Sequence, residues 1–234
     1  MNLLALSFHD ALWLLPVAAG IHVLEELPRF PAWANRTLTS RRGVMCYTRA
    51  KFIWENLVLF VILVAAVLAT RYLPAASLGG QAGLVLSLGA AAGLFFNMLF
   101  HAGFTLRTGV YSPGTVTACL LFFPVSALVF GKAALAGVLG PGVIALAVVL
   151  GIVLLPIVVG VVHRAIDRGV TARSVLKLVA KGIVPLIVVS LLGLIVGEAL
   201  TRKIMMVAGP LAMLPLVLKW LRARRRAVNA GGNQ

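Results

Sequence analysis

Acidic side chains are what this sequence is poorest in: six Asp and Glu in 234 residues, against 21 Lys and Arg. Only 12% of its residues are charged, where a soluble domain carries about a quarter. With 61% hydrophobic residues and a mean hydropathy of +1.05, that scarcity excludes an ordinary soluble globular domain and points to the membrane class. Cysteine is scarce too. Cys46 and Cys119 are the only two, far apart and without C-x-x-C spacing. That excludes a disulfide framework and a cysteine zinc centre, and leaves two free thiols. The N-terminus lacks both the basic region and the small-residue cleavage site of a cleavable signal peptide.

What is abundant is apolar sequence in long runs, and a run of about 20 residues crosses a bilayer. Seven candidate spans follow. The first runs from Leu3 or Ala11 to Glu26, stopped by Pro28 and Pro31. The second covers Phe52 to Ala69, and the third Gln81 to Leu106 with a Gly/Ala-rich beginning suited to close packing. The fourth starts at a turn, with Ser112 as N-cap and Pro113 as first helical residue, and reaches Phe130 with a kink at Pro124. The fifth spans Gly142 to His163, followed by a basic amphipathic stretch, Arg164 to Lys181. Gly182 to Leu200 and Ile204 to Leu218 complete the set. The expected fold is therefore all-α, a polytopic transmembrane helix bundle of about seven spans.

The net charge of +15 would suggest nucleic acid in a soluble domain. Here the cations cluster in short loops between apolar runs, so they report topology, and no nucleic-acid partner is expected. With the N-terminus outside, only Arg71, Lys132, Arg202 and Lys203 of the 21 cations fall on the outer side. The other 17 collect in the cytoplasm with the C-terminus, a strong positive-inside asymmetry. The basic loops and the Arg224-Arg225-Arg226 run suit contact with anionic lipid.

Against this background one polar stretch stands out: His22-Val-Leu-Glu25-Glu26, at the end of the first span. Residues three and four apart share a helix face, so His22 is expected to look at both glutamates. Ionisable groups at membrane depth cost several kcal/mol unless they pair or bind something. The topology brings Glu55, Asn97, His101 and His163 to the same membrane face. Two imidazoles and a carboxylate make a ligand set with open positions, suited to zinc, iron or manganese. His22, His101, Glu25 and Glu26 are the expected metal ligands, with a spare glutamate as base and Asn97 orienting His101 or a substrate oxygen. A hydrogen-bonded ion-pair cluster neutralised by Arg29 and Arg49 is the structural alternative.

His22-x-x-Glu25-Glu26, Asn97-x-x-x-His101 and Tyr111-x-Pro113-Gly114-x-x-Thr117, in this order, resemble the HXXEE-domain family of bacterial integral membrane proteins. The resemblance covers roughly the first 130 residues and implies architecture and candidate residues, but no reaction. Its implied location is the bacterial inner membrane. The domain expected from it spans 1–134, with further spans of the same bundle over 135–222 and a basic, disordered tail over 223–234.

The functional expectation is a metal-dependent hydrolase acting on a lipid-like or membrane-delivered substrate. Glu25, Glu26, Asn97 and Tyr111 are its candidate catalytic groups, Tyr111 as a hydroxyl donor into the site. The alternatives are a proton- or ion-coupled carrier and a non-catalytic scaffold.

Overall fold

The computed structural model describes residues 5–37 and 47–167, and all regular structure among them is helical. The chain divides into two compact units, Met1–Ala172 and Arg173–Gln234. The second unit lies outside the described residues, and with it the sixth and seventh expected spans, Glu198 and the basic tail. Residues 38–46 of the first basic loop, with Arg41, Arg42 and Cys46, lie outside them as well.

Helix α1 (Phe8–Leu12) begins at Ser7, whose hydroxyl accepts the Asp10 N–H at 3.1 Å, and α2 (Leu14–Glu26) continues from it. Pro28 then turns the chain, as expected. Pro31 does not act as a stop: it sits in the first turn of a new helix, α3 (Phe30–Thr37), where its missing N–H is not needed. The α1–α2 segment and α3 are bent by 71°. Helix α4 (Arg49–Tyr72) is capped by Thr48, and α5 (Leu78–Thr108) is capped by Ser77 and closed by Gly109 at φ 67°.

The fourth span starts later than the sequence suggests, because Ser112 is used elsewhere. Gly114 precedes a short α6 (Thr115–Thr117), which passes through a π-helical turn, Ala118–Phe122, into α7 (Phe123–Leu135). Pro124 has no N–H to return, and the irregularity falls in the turn just before it. Helix α8 (Pro141–Asp167) runs past His163, so the first residues of the expected amphipathic stretch belong to it.

Four of these elements, α4, α5, Thr115–Leu135 and α8, are long and apolar enough to cross a membrane. The bent α1–α3 segment makes a fifth if it counts as one span. They correspond to the first five expected spans.

In lipid there is no water to expel between helices, so their association rests on close packing and hydrogen bonds. The Gly/Ala-rich half of α5 supplies the packing. A Cβ on Gly151 of α8 would lie 2.7 Å from Ala92 Cβ and 2.8 Å from the Gly93 nitrogen. On the α4 side, a Cβ on Gly83 would lie 2.7 Å from the Thr70 nitrogen. Thr70 and Ser87 share a hydroxyl hydrogen bond of 3.1 Å across the same contact. Leu12, Leu15, Val67, Leu88 and Val129 fill the core beside it. At one end Asp10 pairs with Arg71 at 2.7 Å, joining the start of α1 to the last turn of α4. Helices α2 and α4 therefore run antiparallel, which brings Glu26 and Glu55 to the opposite end together.

Only 17% of the most apolar window of α8 is buried inside the bundle, so most of that helix presents Val, Ile and Leu outward, as a lipid-facing wall does. Gly151→Leu should lower stability by about 1–3 kcal/mol through overpacking against the α5 backbone. Gly160→Leu, where a Cβ meets nothing within 4 Å, should leave it unchanged. Thermal unfolding in detergent reads the difference, and equal melting temperatures would contradict this packing.

Candidate metal centre and its cavity

The last turns of α2 carry His22 and Glu26 on one face, and α5 brings His101 to them. The three are buried, at 3%, 5% and 1% exposure. His22 Nε2 lies 3.4 Å from Glu26 Oε2, and His101 Nε2 lies 3.3 Å from Glu26 Oε1. One ligand atom from each residue falls within 4.8 Å of the others, so this group could hold a metal ion. The separations are informative. A charge-assisted N–H···O contact closes to about 2.7–2.9 Å. Donor atoms around a tetrahedral ion bound at about 2.0–2.1 Å stand about 3.3–3.4 Å apart.

The other ring nitrogens are anchored. His22 Nδ1 meets Thr117 Oγ1 at 2.9 Å, and His101 Nδ1 meets Ser112 Oγ at 2.9 Å. The Thr117 hydroxyl has one proton, and it donates that to the Glu25 carboxylate. His22 Nδ1 must then be the donor to Thr117, which in the neutral ring leaves the lone pair on Nε2, facing Glu26. Asn97 Nδ2, one turn before His101, stands 3.3 Å from that same Nε2.

Glu25 departs from the expectation that His22 faces both glutamates. Adjacent helical side chains diverge by about 100°, so when Glu26 faces the histidines Glu25 cannot. Its carboxylate instead accepts from the Thr117 N–H at 2.8 Å, the Gly114 N–H at 3.2 Å, the Thr117 hydroxyl and the Tyr111 hydroxyl. Tyr111 is therefore drawn to Glu25 rather than into the His22–Glu26–His101 group, and it is 44% exposed. Burial and then the neighbouring Glu25 carboxylate raise the Tyr111 pKa above the ordinary tyrosine value, which keeps it a donor. Among the described residues, the partners of both glutamates are hydroxyl, backbone and imidazole groups rather than Arg29 or Arg49.

The turn that Glu25 holds approaches the site very closely. Gly114 has φ +97°, and a Cβ there would lie 2.6 Å from His22 Cε1 and 2.9 Å from Glu26 Cγ.

His22, Glu26, Asn97 and His101 all line a cavity of about 550 Å³, whose remaining wall is mostly apolar: Leu59, Leu63, Leu94, Leu150 and Leu154 among others. Such a volume suits a small organic ligand or one end of a larger one. Glu55 and Tyr47 also face this cavity. Glu55 pairs with His163 of α8 at 2.9 Å, both buried, and one turn further Lys51 pairs with Asp167 at 2.7 Å. The sequence places Glu55 and His163 at the same membrane face but holds no sign of their pairing. Their helices pack directly against each other, yet the two residues lie 108 positions apart in the chain.

An all-helical bundle with long apolar helices and a buried His/Glu group defines a membrane protein with a candidate metal centre. The chain belongs to a family described as "protein of unknown function with HXXEE motif", whose profile matches residues 13–129. No curated protein and no solved structure matches the chain. The matched segment contains His22, Glu25, Glu26, Asn97, His101 and Tyr111, whereas α8 lies beyond it.

Gly114→Ala should destabilise the protein by about 1–3 kcal/mol, from backbone strain together with the clash at His22. Gly109→Ala carries strain without a clash, and Gly103→Ala neither. Melting temperatures should fall in that order, and a Gly114→Ala protein as stable as Gly109→Ala would refute the close approach.

Proposed function

We propose that this chain is a membrane-embedded, metal-dependent hydrolase acting on a lipid-like or membrane-delivered substrate. The observation that carries the reading is the convergence of His22 Nε2, His101 Nε2 and the Glu26 carboxylate on the wall of a largely apolar cavity. Two imidazoles and one carboxylate suit zinc, iron or manganese, and leave positions open for water or substrate. A divalent ion held there would polarise a carbonyl or phosphoryl oxygen and make a nearby water easier to deprotonate.

The protein's own groups supply the rest. Thr117 and Ser112 fix the two rings through Nδ1, the arrangement that orients metal-binding histidines generally. Asn97 stands where its amide can hold a substrate oxygen. The apolar wall favours an acyl or isoprenoid chain over a polar metabolite. In this reading the chain sits in a bacterial inner membrane with about seven spans, its N-terminus outside, and the site near the cytoplasmic face beside loops that attract anionic lipid.

Elemental analysis of detergent-purified protein tests the centre. The wild type should carry near-stoichiometric zinc, iron or manganese, and a folded His22→Ala/His101→Ala variant none. Absence of metal from the wild type even after supplementation would rule the centre out. Thr117→Val should retain the fold but weaken metal affinity about 10- to 100-fold, the usual effect of losing a group that orients a ligand. Competition with a calibrated chelator measures it.

A further inference from the structure

The HXXEE motif contains two glutamates, and the geometry leaves neither free to act as a base. Glu26 is taken up by the two imidazoles, and Glu25 is saturated by four hydrogen bonds from the 111–117 turn. A hydrolase still needs a group to take a proton from water. Among the described residues, one other carboxylate lines the same cavity: Glu55.

We propose that Glu55, supported by His163 and Tyr47, is the general base of this cavity, an assignment that rests on the hydrolase reading above. Glu55 is 4% exposed yet faces the cavity, and its Oε2 lies 2.9 Å from His163 Nε2. His163 is buried, and its Nδ1 has no partner. A cationic His163 would leave that N–H unpaired in the interior, so the ring is best satisfied neutral, with Nε2–H donated to Glu55. Tyr47 sits beside both members: it lines the same cavity as Glu55, and its ring meets that of His163 edge-on at 4.6 Å. Tyr47 also lines the cavity that holds Glu26 and His101. Its pKa is raised by burial and by the charges of both Glu55 and Glu26. Phe30 bridges the same gap, with its ring 5.8 Å from Tyr47 and 6.4 Å from His101.

Among the described residues, the charged and titratable groups around Glu55 are Lys51 on its own helix, His163 and Asp167 on α8, Tyr47 before α4, and Glu26 and His101 across the cavity. The hydrogen bond to His163 engages Oε2 and leaves Glu55 lone pairs for a cavity water. In the step, a water O–H bond breaks and its proton passes to Glu55 while the oxygen bonds to the substrate's acyl carbon. The carbon–oxygen bond to the leaving group then breaks, and Glu55 returns the proton to the departing alkoxide.

The experiment uses the full chain in detergent, loaded with zinc, and 4-nitrophenyl decanoate as probe. Glu55→Gln should keep wild-type zinc content and melting temperature but lose about 100- to 10,000-fold in kcat/KM, with Glu55→Asp restoring part. His163→Gln should shift the acid limb of the pH–rate profile. A Glu55→Gln protein that keeps its rate overturns the assignment, and one that loses zinc along with activity makes Glu55 a ligand instead. If the wild type binds no zinc or leaves the ester intact, it is the hydrolase reading that fails. Glu55 is then judged by wild-type minus Glu55→Gln infrared difference spectra. A carboxyl band that titrates, and that His163→Gln displaces, supports a base. A carboxyl fixed in one state between about pH 5 and 9 overturns it.

Discussion

The Glu25 carboxylate is the interaction on which most of the site depends. It gathers two backbone N–H groups and two hydroxyls from a single turn, and so fixes the turn between α5 and α6 against the end of α2. Through Thr117 it sets which nitrogen of His22 carries the proton. By holding Gly114 in place it closes one side of the site with backbone, at a distance that admits no side chain. An ionised carboxylate buried in part at membrane depth is tolerated because every strong donor around it is aimed at it.

The neighbouring carboxylate obeys a different rule. Glu26 is held by imidazole nitrogens at 3.3 and 3.4 Å, while Glu55 in the same molecule closes on His163 to 2.9 Å. The Glu55–His163 contact is a short hydrogen bond, whereas the two Glu26 contacts are longer and fall on different carboxylate oxygens, Oε2 for His22 and Oε1 for His101. That contrast separates the two clusters chemically although they share one cavity.

Much of this was legible in the sequence. The first five expected spans have their helices because twenty-residue apolar runs leave a chain little choice in lipid. His22, Glu26, Asn97 and His101 came together because helical spacing and span ends fix both face and depth. The parts that stayed hidden have physical reasons. Glu25 and Glu26 are adjacent, and only packing decides which one turns inward. Ser112 reads locally as a cap, but the long-range demand of the His101 ring prevails over the local preference. The irregularity ahead of Pro124 took the form of a π turn, which has no residue signature of its own. The Glu55–His163 pair depends on how α8 lies against α4, and no local pattern encodes a contact across 108 residues.

Helix α8 lies outside the segment that the family profile matches, yet it supplies Leu150, Gly151, Ile152, Leu154, Leu155 and Val159 to the cavity. The chamber around the ligand set therefore draws one wall from beyond the matched segment. The ligands stand on α2 and α5, which line the chamber together with α4, whereas one further wall and the His163 partner come from α8. Changing the cavity-facing side chains of α8, away from the Gly151 contact with α5, would change what fits, and how protons are handled there, while leaving the three ligand residues themselves in place. In engineering terms, part of the chamber's selectivity can be varied on a helix that carries none of the three ligands.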